Sequence, residues 1–146
     1  MKKNMSEEVE FLNYIYKNAK MGIVGIDSVI TKAIDEKFEK LLIKQKDEYD
    51  SICKEAYDIL KKYGKEYEDV SALAKISTNI MSEMSLLKDD SIQNIAKMMV
   101  EGTTKGVVEI IEKLNAYNNT DVEITVLADR LKSMLENNID ELKKYL

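Results

Sequence analysis

Histidine and proline are both missing from these 146 residues, tryptophan is absent, and there are only one cysteine, two phenylalanines and five glycines. A β-rich fold needs proline and glycine in its turns, whereas helix interiors reject both, so their scarcity predicts an all-α chain. Without histidine the chain lacks the side chain that most often serves as general base and as transition-metal ligand. No Cys–His nucleophile pair can form. Cys53 cannot make an internal disulfide, and it reads as a small buried apolar group in a reducing compartment. Arg130 is the only arginine among 22 basic residues, and the net charge is −5. Bidentate recognition of phosphates or bases is poorly served by such a set, and nucleic acid is not an expected partner. Residues 1–10 carry two lysines with no apolar run behind them, and no stretch approaches the roughly 20 apolar residues that span a bilayer. The expectation is a cytoplasmic protein with no membrane partner, forming one domain over residues 1–146.

Apolar residues recur at three- and four-residue spacing along most of the chain. They predict helices over 6–33, 36–63, 70–87, 91–117 and 121 to about 145. Ser6 and Asp35 are expected caps of the first two, and Gly64 an expected stop. Asp69 or Ser71 would cap the third. Asp90 with Gln93, and Thr120 with Glu123, have capping-box spacing for the last two. Whether residues 70–117 form one helix or two is left open by the pattern.

The second half of the chain repeats the first. MGIVGIDSVI and KGVVEIIEKL align with Gly22, Val24 and Ile26 identical to Gly106, Val108 and Ile110, 84 residues later. Residues 47–63 and 129–145 align at an offset of 82 and end alike in LKKY. Two helical hairpins, 6–63 and 91–145, are therefore expected. The segment between them is long enough to run the length of a bundle, which would leave the helices it joins parallel. On this duplication and connection the chain resembles the ferritin-like superfamily, in particular histidine-free members from AT-rich Gram-positive bacteria, whose coding favours Lys, Ile, Asn and Tyr. The resemblance implies an up-down-down-up four-helix bundle with an additional short helix in the crossover.

Di-iron members of that superfamily use a Glu from each of two helices and an E-x-x-H from each of the others. Here Glu48, Glu55 and Glu136 begin segments that never reach histidine, and no bound metal or other cofactor is expected. Gly22, Gly102 and Gly106 are read as a tight crossing between the first and fourth helices, because a helical glycine needs close approach to offset its cost. Asn138, Thr103 and Gln45 fall on apolar stripes and must find hydrogen-bond partners inside. Asp27 reads as an edge position reaching water. Val108, Ile111 and Ile139 lie off the stripes and are candidates for an association surface. Met81, Met84, Met98 and Met99 read either as adaptable core filling or as a greasy surface for a partner or ligand.

These residues predict a non-catalytic bundle, and three readings of what it does. The first is protein–protein association, starting with a homodimer and extending to an unidentified protein partner. The second is a carrier of a small apolar ligand, which requires an inter-helix cavity above roughly 300 Å³. The third is a carboxylate-only metal-binding bundle, which requires clustered inward acids.

Overall fold

The computed structural model describes residues 6–33, 35–65, 70–117 and 121–146. Among the described residues there are five α-helices and no strand: α1 (Glu7–Val29), α2 (Glu36–Lys62), α3 (Val70–Ser85), α4 (Ile92–Ala116) and α5 (Val122–Lys143). A short 3-10 turn, Ile30–Lys32, closes α1. Residues 70–117 are thus two helices, broken between Leu86 and Ser91.

Local chemistry fixes the helix ends. The Ser6 side chain accepts the Val9 N–H at 3.2 Å, and Glu7, Glu8 and Glu10 sit at the positive end of the α1 dipole. Asp35 accepts the Phe38 N–H at 2.9 Å. Gly64, at φ 67°, ends α2 in the left-handed conformation that a side chain disfavours. Its N–H donates to the Lys61 carbonyl and the Lys65 N–H donates back to Leu60, the paired bonds of a Schellman motif.

Two caps differ from the sequence expectation. The α4 cap is Ser91, which accepts the Asn94 N–H, so Asp90 lies one residue outside. The α5 cap is Asp121, which accepts from the Glu123 and Ile124 N–H groups. Thr120 and Asp69 lie outside the described residues, and Ser71 is within α3 rather than before it.

Contacts between helices give their directions. Across α1 and α2, Asp27 meets Lys46, Gly22 meets Tyr49 and Tyr16 meets Cys53, so these helices are antiparallel. Across α1 and α4, Phe11 meets Tyr117, Tyr14 meets Glu109 and Asn18 meets Gly106, again antiparallel. Across α2 and α5, Gln45 meets Asn138, Glu55 meets Arg130 and Lys62 meets Glu123, also antiparallel. It follows that α2 and α4 point the same way. The core lies among these four helices and includes Leu12, Ile26, Phe38, Ile52, Ile110 and Leu131, all essentially inaccessible.

α3 joins the end of α2 to the start of α4 and packs against α1, running in the same direction as α1. Leu73 is buried and Ile76, Ile80 and Met84 are half-buried, while Met81 and Leu86 face outward. α3 is an amphipathic helix laid on the outside of the bundle.

Candidate functional site

A cleft of about 610 Å³ lies between α1, α3 and α4. Its walls follow the antiparallel register of α1 and α4, rung by rung. Tyr14 and Glu109 form the first rung, and Asn18 stands opposite Gly106 with Lys105 beside it. The same register sets Gly22 opposite Gly102, Ile26 opposite Met98 and Met99, and Val29 opposite Ile95. Ile76, Ile80 and Met84 of α3 complete the lining. From Tyr14 to Val29 the cleft runs about 22 Å at 1.5 Å per residue.

The glycines shape this space in different ways, and they do not form the single tight crossing expected of them. A Cβ on Gly22 would sit 2.5 Å from the Tyr49 ring, so the closest approach at Gly22 comes from α2. A Cβ on Gly106 would meet the Asn18 amide at 3.2 Å and Leu135 at 3.5 Å. Gly25 and Gly102 would meet nothing within 4 Å. At those two positions the missing side chain leaves open space along the cleft.

Tyr49 forms the floor. It is 5% exposed, and its ring lies against Gly22 of α1. Its hydroxyl lies beside the side chains of Thr103 on α4 and Asn138 on α5. One side chain of α2 therefore touches α1, α4 and α5. Burial pushes its ionisation above the ordinary tyrosine value.

All three expected core polar residues converge here. Asn138 is 0% exposed, and its side-chain nitrogen donates to Glu48 Oε1 at 3.2 Å and to the Met134 carbonyl at 3.3 Å. Gln45 is 1% exposed and donates to the Asn138 carbonyl at 3.5 Å. Thr103 is half-buried and donates to the Met99 carbonyl at 2.7 Å. Glu48, half-buried beside Asn138, has its carboxyl held above the ordinary range by burial, with Lys44 pulling the other way.

The two ends of the cleft differ in polarity. At the first, the Asn18 amide donates to the Tyr14 hydroxyl at 3.1 Å, which donates on to Glu109 at 3.4 Å, and the Lys113 ammonium lies 5.3 Å from the Tyr14 ring centre. Burial is the largest cause raising the Tyr14 ionisation well above normal. Lys17 and Lys105 line the same end. At the other, the lining is mainly Ile, Met and Val, with Ser28 bonded to the Gly25 carbonyl and the exposed Glu83 at its edge.

A second groove, about 550 Å³, lies between α2 and α5. Glu48, Ser51, Asp129, Arg130 and Ser133 line it beside Ile52, Val126 and Met134. The Arg130–Glu55 pair and the Lys44–Glu141 and Lys62–Glu123 pairs, at 3.1 and 3.0 Å, bridge these two helices.

Of the association candidates, Val108 is 53% exposed, whereas Ile111 and Ile139 are half-buried. Asp27 is exposed and pairs with Lys46 at 2.6 Å. Cys53 is buried, donates to the Tyr16 carbonyl, and has its thiol pushed up to about 11 by burial, so it stays protonated and unreactive near neutrality. Among the described residues no three acidic or thiol side chains converge in a way that would hold a metal ion, and no helix is long and apolar enough to cross a membrane. Comparison of the chain with protein-family models, with curated proteins and with solved structures finds no match.

Proposed function

We propose that this chain is a non-catalytic binding protein that holds a small, largely apolar molecule in the cleft between α1, α3 and α4. The observation that carries this reading is the cleft itself, about 610 Å³ and walled by methionine, isoleucine and glycine. That volume falls inside the roughly 300–1,000 Å³ typical of small-molecule sites, which are mostly apolar with a few placed polar groups. Methionine suits such a wall, because its flexible thioether repacks around an incoming ligand. Gly25 and Gly102 add weight. Each costs its helix about 1 kcal/mol relative to alanine, and no neighbour needs the room. Vacant space along a cleft is what their retention preserves.

The helix directions support the ferritin-like order as the framework for this site. In that arrangement the crossover is free to lie over one seam, as α3 does. The matching depths of Ile26 and Ile110, and of Ala56 and Asn138, support descent of the two hairpins from one duplicated unit.

The test is calorimetric titration of the protein with 1-dodecanol, a neutral apolar probe. Saturable binding to wild type, abolished in Gly102→Leu, is the expected result, since Gly102 lines the cleft and a Cβ there meets no neighbour. Undiminished binding in that variant would place the probe elsewhere and overturn the reading.

A further inference from the structure

The cleft is not uniformly apolar, and its asymmetry specifies an occupant. Its Tyr14–Glu109 end carries two ammonium groups, Lys17 and Lys105, against one lining carboxylate, Glu109. Glu109 already accepts a hydrogen bond from Tyr14. Lys113 adds a further positive charge over the Tyr14 ring, offset by Glu112 nearby. Among the described residues neither Lys17 nor Lys105 forms an ion pair. The far end has Glu83 at its edge and walls at Val29, Ile95 and Met84, with the Ser28 hydroxyl turned to the Gly25 carbonyl. An anionic group is therefore attracted to the first end and repelled from the second.

Between the ends the passage is narrow in chemistry and long in shape. Gly102 leaves open space beside the Tyr49 ring, which packs on Gly22, and the space beyond it is lined by Ile26, Met98 and Met99. A compact aromatic ligand would leave much of a track about 22 Å long unfilled. A single flexible hydrocarbon chain fills it.

Building on the cleft-binding reading above, we propose that the natural occupant is a single-chain amphiphile with an anionic head. The head sits between Lys17 and Lys105, beside the Tyr14 hydroxyl and the Asn18 amide, and the tail passes over Gly22 and Gly102 to end at Val29 and Ile95. Both ammonium groups are solvent-accessible on long stems, so each can reach a head at the mouth while its methylenes cover the tail.

Titration calorimetry with four matched probes tests this: dodecanoate, dodecyl phosphate, 1-dodecanol and dodecylammonium. The expected order is an anionic probe about tenfold tighter than the alcohol, equivalent to about 1.4 kcal/mol, with dodecylammonium weakest. Raising the salt concentration narrows the gap, because these charges are screened. The tighter of dodecanoate and dodecyl phosphate identifies the head as carboxylate or phosphate. In the double variant Lys17→Glu, Lys105→Glu, whose positions are not in the core, the preference for anions over the alcohol disappears. Equal affinity for all four probes in wild type, or a preference for dodecylammonium, overturns the anionic head and leaves the cleft-binding reading standing. Binding of none of the four overturns both.

Discussion

The seam between α2 and α5 and the seam between α1 and α4 join the same two hairpins, yet they are held in different ways. Three ion pairs bridge α2 to α5, over a groove lined by Glu48, Asp129 and Arg130 together with Ile52, Val126 and Met134. Between α1 and α4 there are glycines, methionines and a long cleft, polar at its Tyr14–Glu109 end and flanked by α3. The buried polar cluster sits where the two meet: Asn138 reaches Glu48 on one side and the Tyr49 hydroxyl on the other. The difference teaches that the bundle does not need its α1–α4 seam filled. Tyr49 spans the core beneath it and holds the two hairpins together from below.

The largest expected effect follows from that position. Tyr49→Ala removes a ring packed on Gly22 together with its contacts to the Asn138 and Thr103 side chains, at a cost of about 3–5 kcal/mol in urea unfolding. Tyr49→Phe keeps the ring and loses only the hydroxyl's polar contacts, for about 1–3 kcal/mol. If both variants unfold at the wild-type midpoint, Tyr49 does not join the hairpins.

The glycines give a contrast of sign. Gly22→Ala drives a methyl into the Tyr49 ring and destabilises by about 1–3 kcal/mol despite the better helix propensity. Gly102→Ala meets nothing and stabilises by up to about 1 kcal/mol. Equal effects at the two positions would remove the distinction between a packed glycine and a vacant one.

The polar seam has smaller effects. Arg130→Ala breaks a half-exposed ion pair with Glu55 and costs less than about 1 kcal/mol, diminishing with salt. Glu48→Gln acts with the opposite sign. Burial raises the folded carboxyl's ionisation above its unfolded value, so the folded state holds this proton more tightly. The resulting stability is present below the unfolded value and is lost as pH rises through the folded one. Glu48→Gln should therefore leave acid-side stability unchanged and raise it slightly at neutral pH, while keeping an acceptor for Asn138. A neutral-pH loss of stability would contradict the assignment of burial as the dominant cause.

Much of this fold is legible in the sequence, because helices announce themselves through period and caps. Ser6, Asp35 and Gly64 do what their residue types predict. The caps at Ser91 and Asp121 fall one residue beyond Asp90 and Thr120, where adjacent residues of cap-forming type leave the pattern ambiguous. Gln45, Thr103 and Asn138 are visible as polar interruptions of apolar stripes. Their convergence through Tyr49 is not, since it depends on the register between three helices. The cleft was least legible of all. Gly22 and Gly102 look alike in sequence, and only inter-helix spacing determines that a ring fills one position and nothing fills the other.

The most direct test of the cleft uses methionine methyl groups as reporters in both seams. Met21, Met84, Met98 and Met99 line the α1–α3–α4 cleft, and Met134 lines the α2–α5 groove. In ¹³C-methyl-methionine NMR of the wild-type protein, saturation with dodecanoate should shift the four cleft methyls and leave Met134 in place. Shifts at Met134 with the cleft methyls unmoved, or no shift at any of the five, would contradict the account.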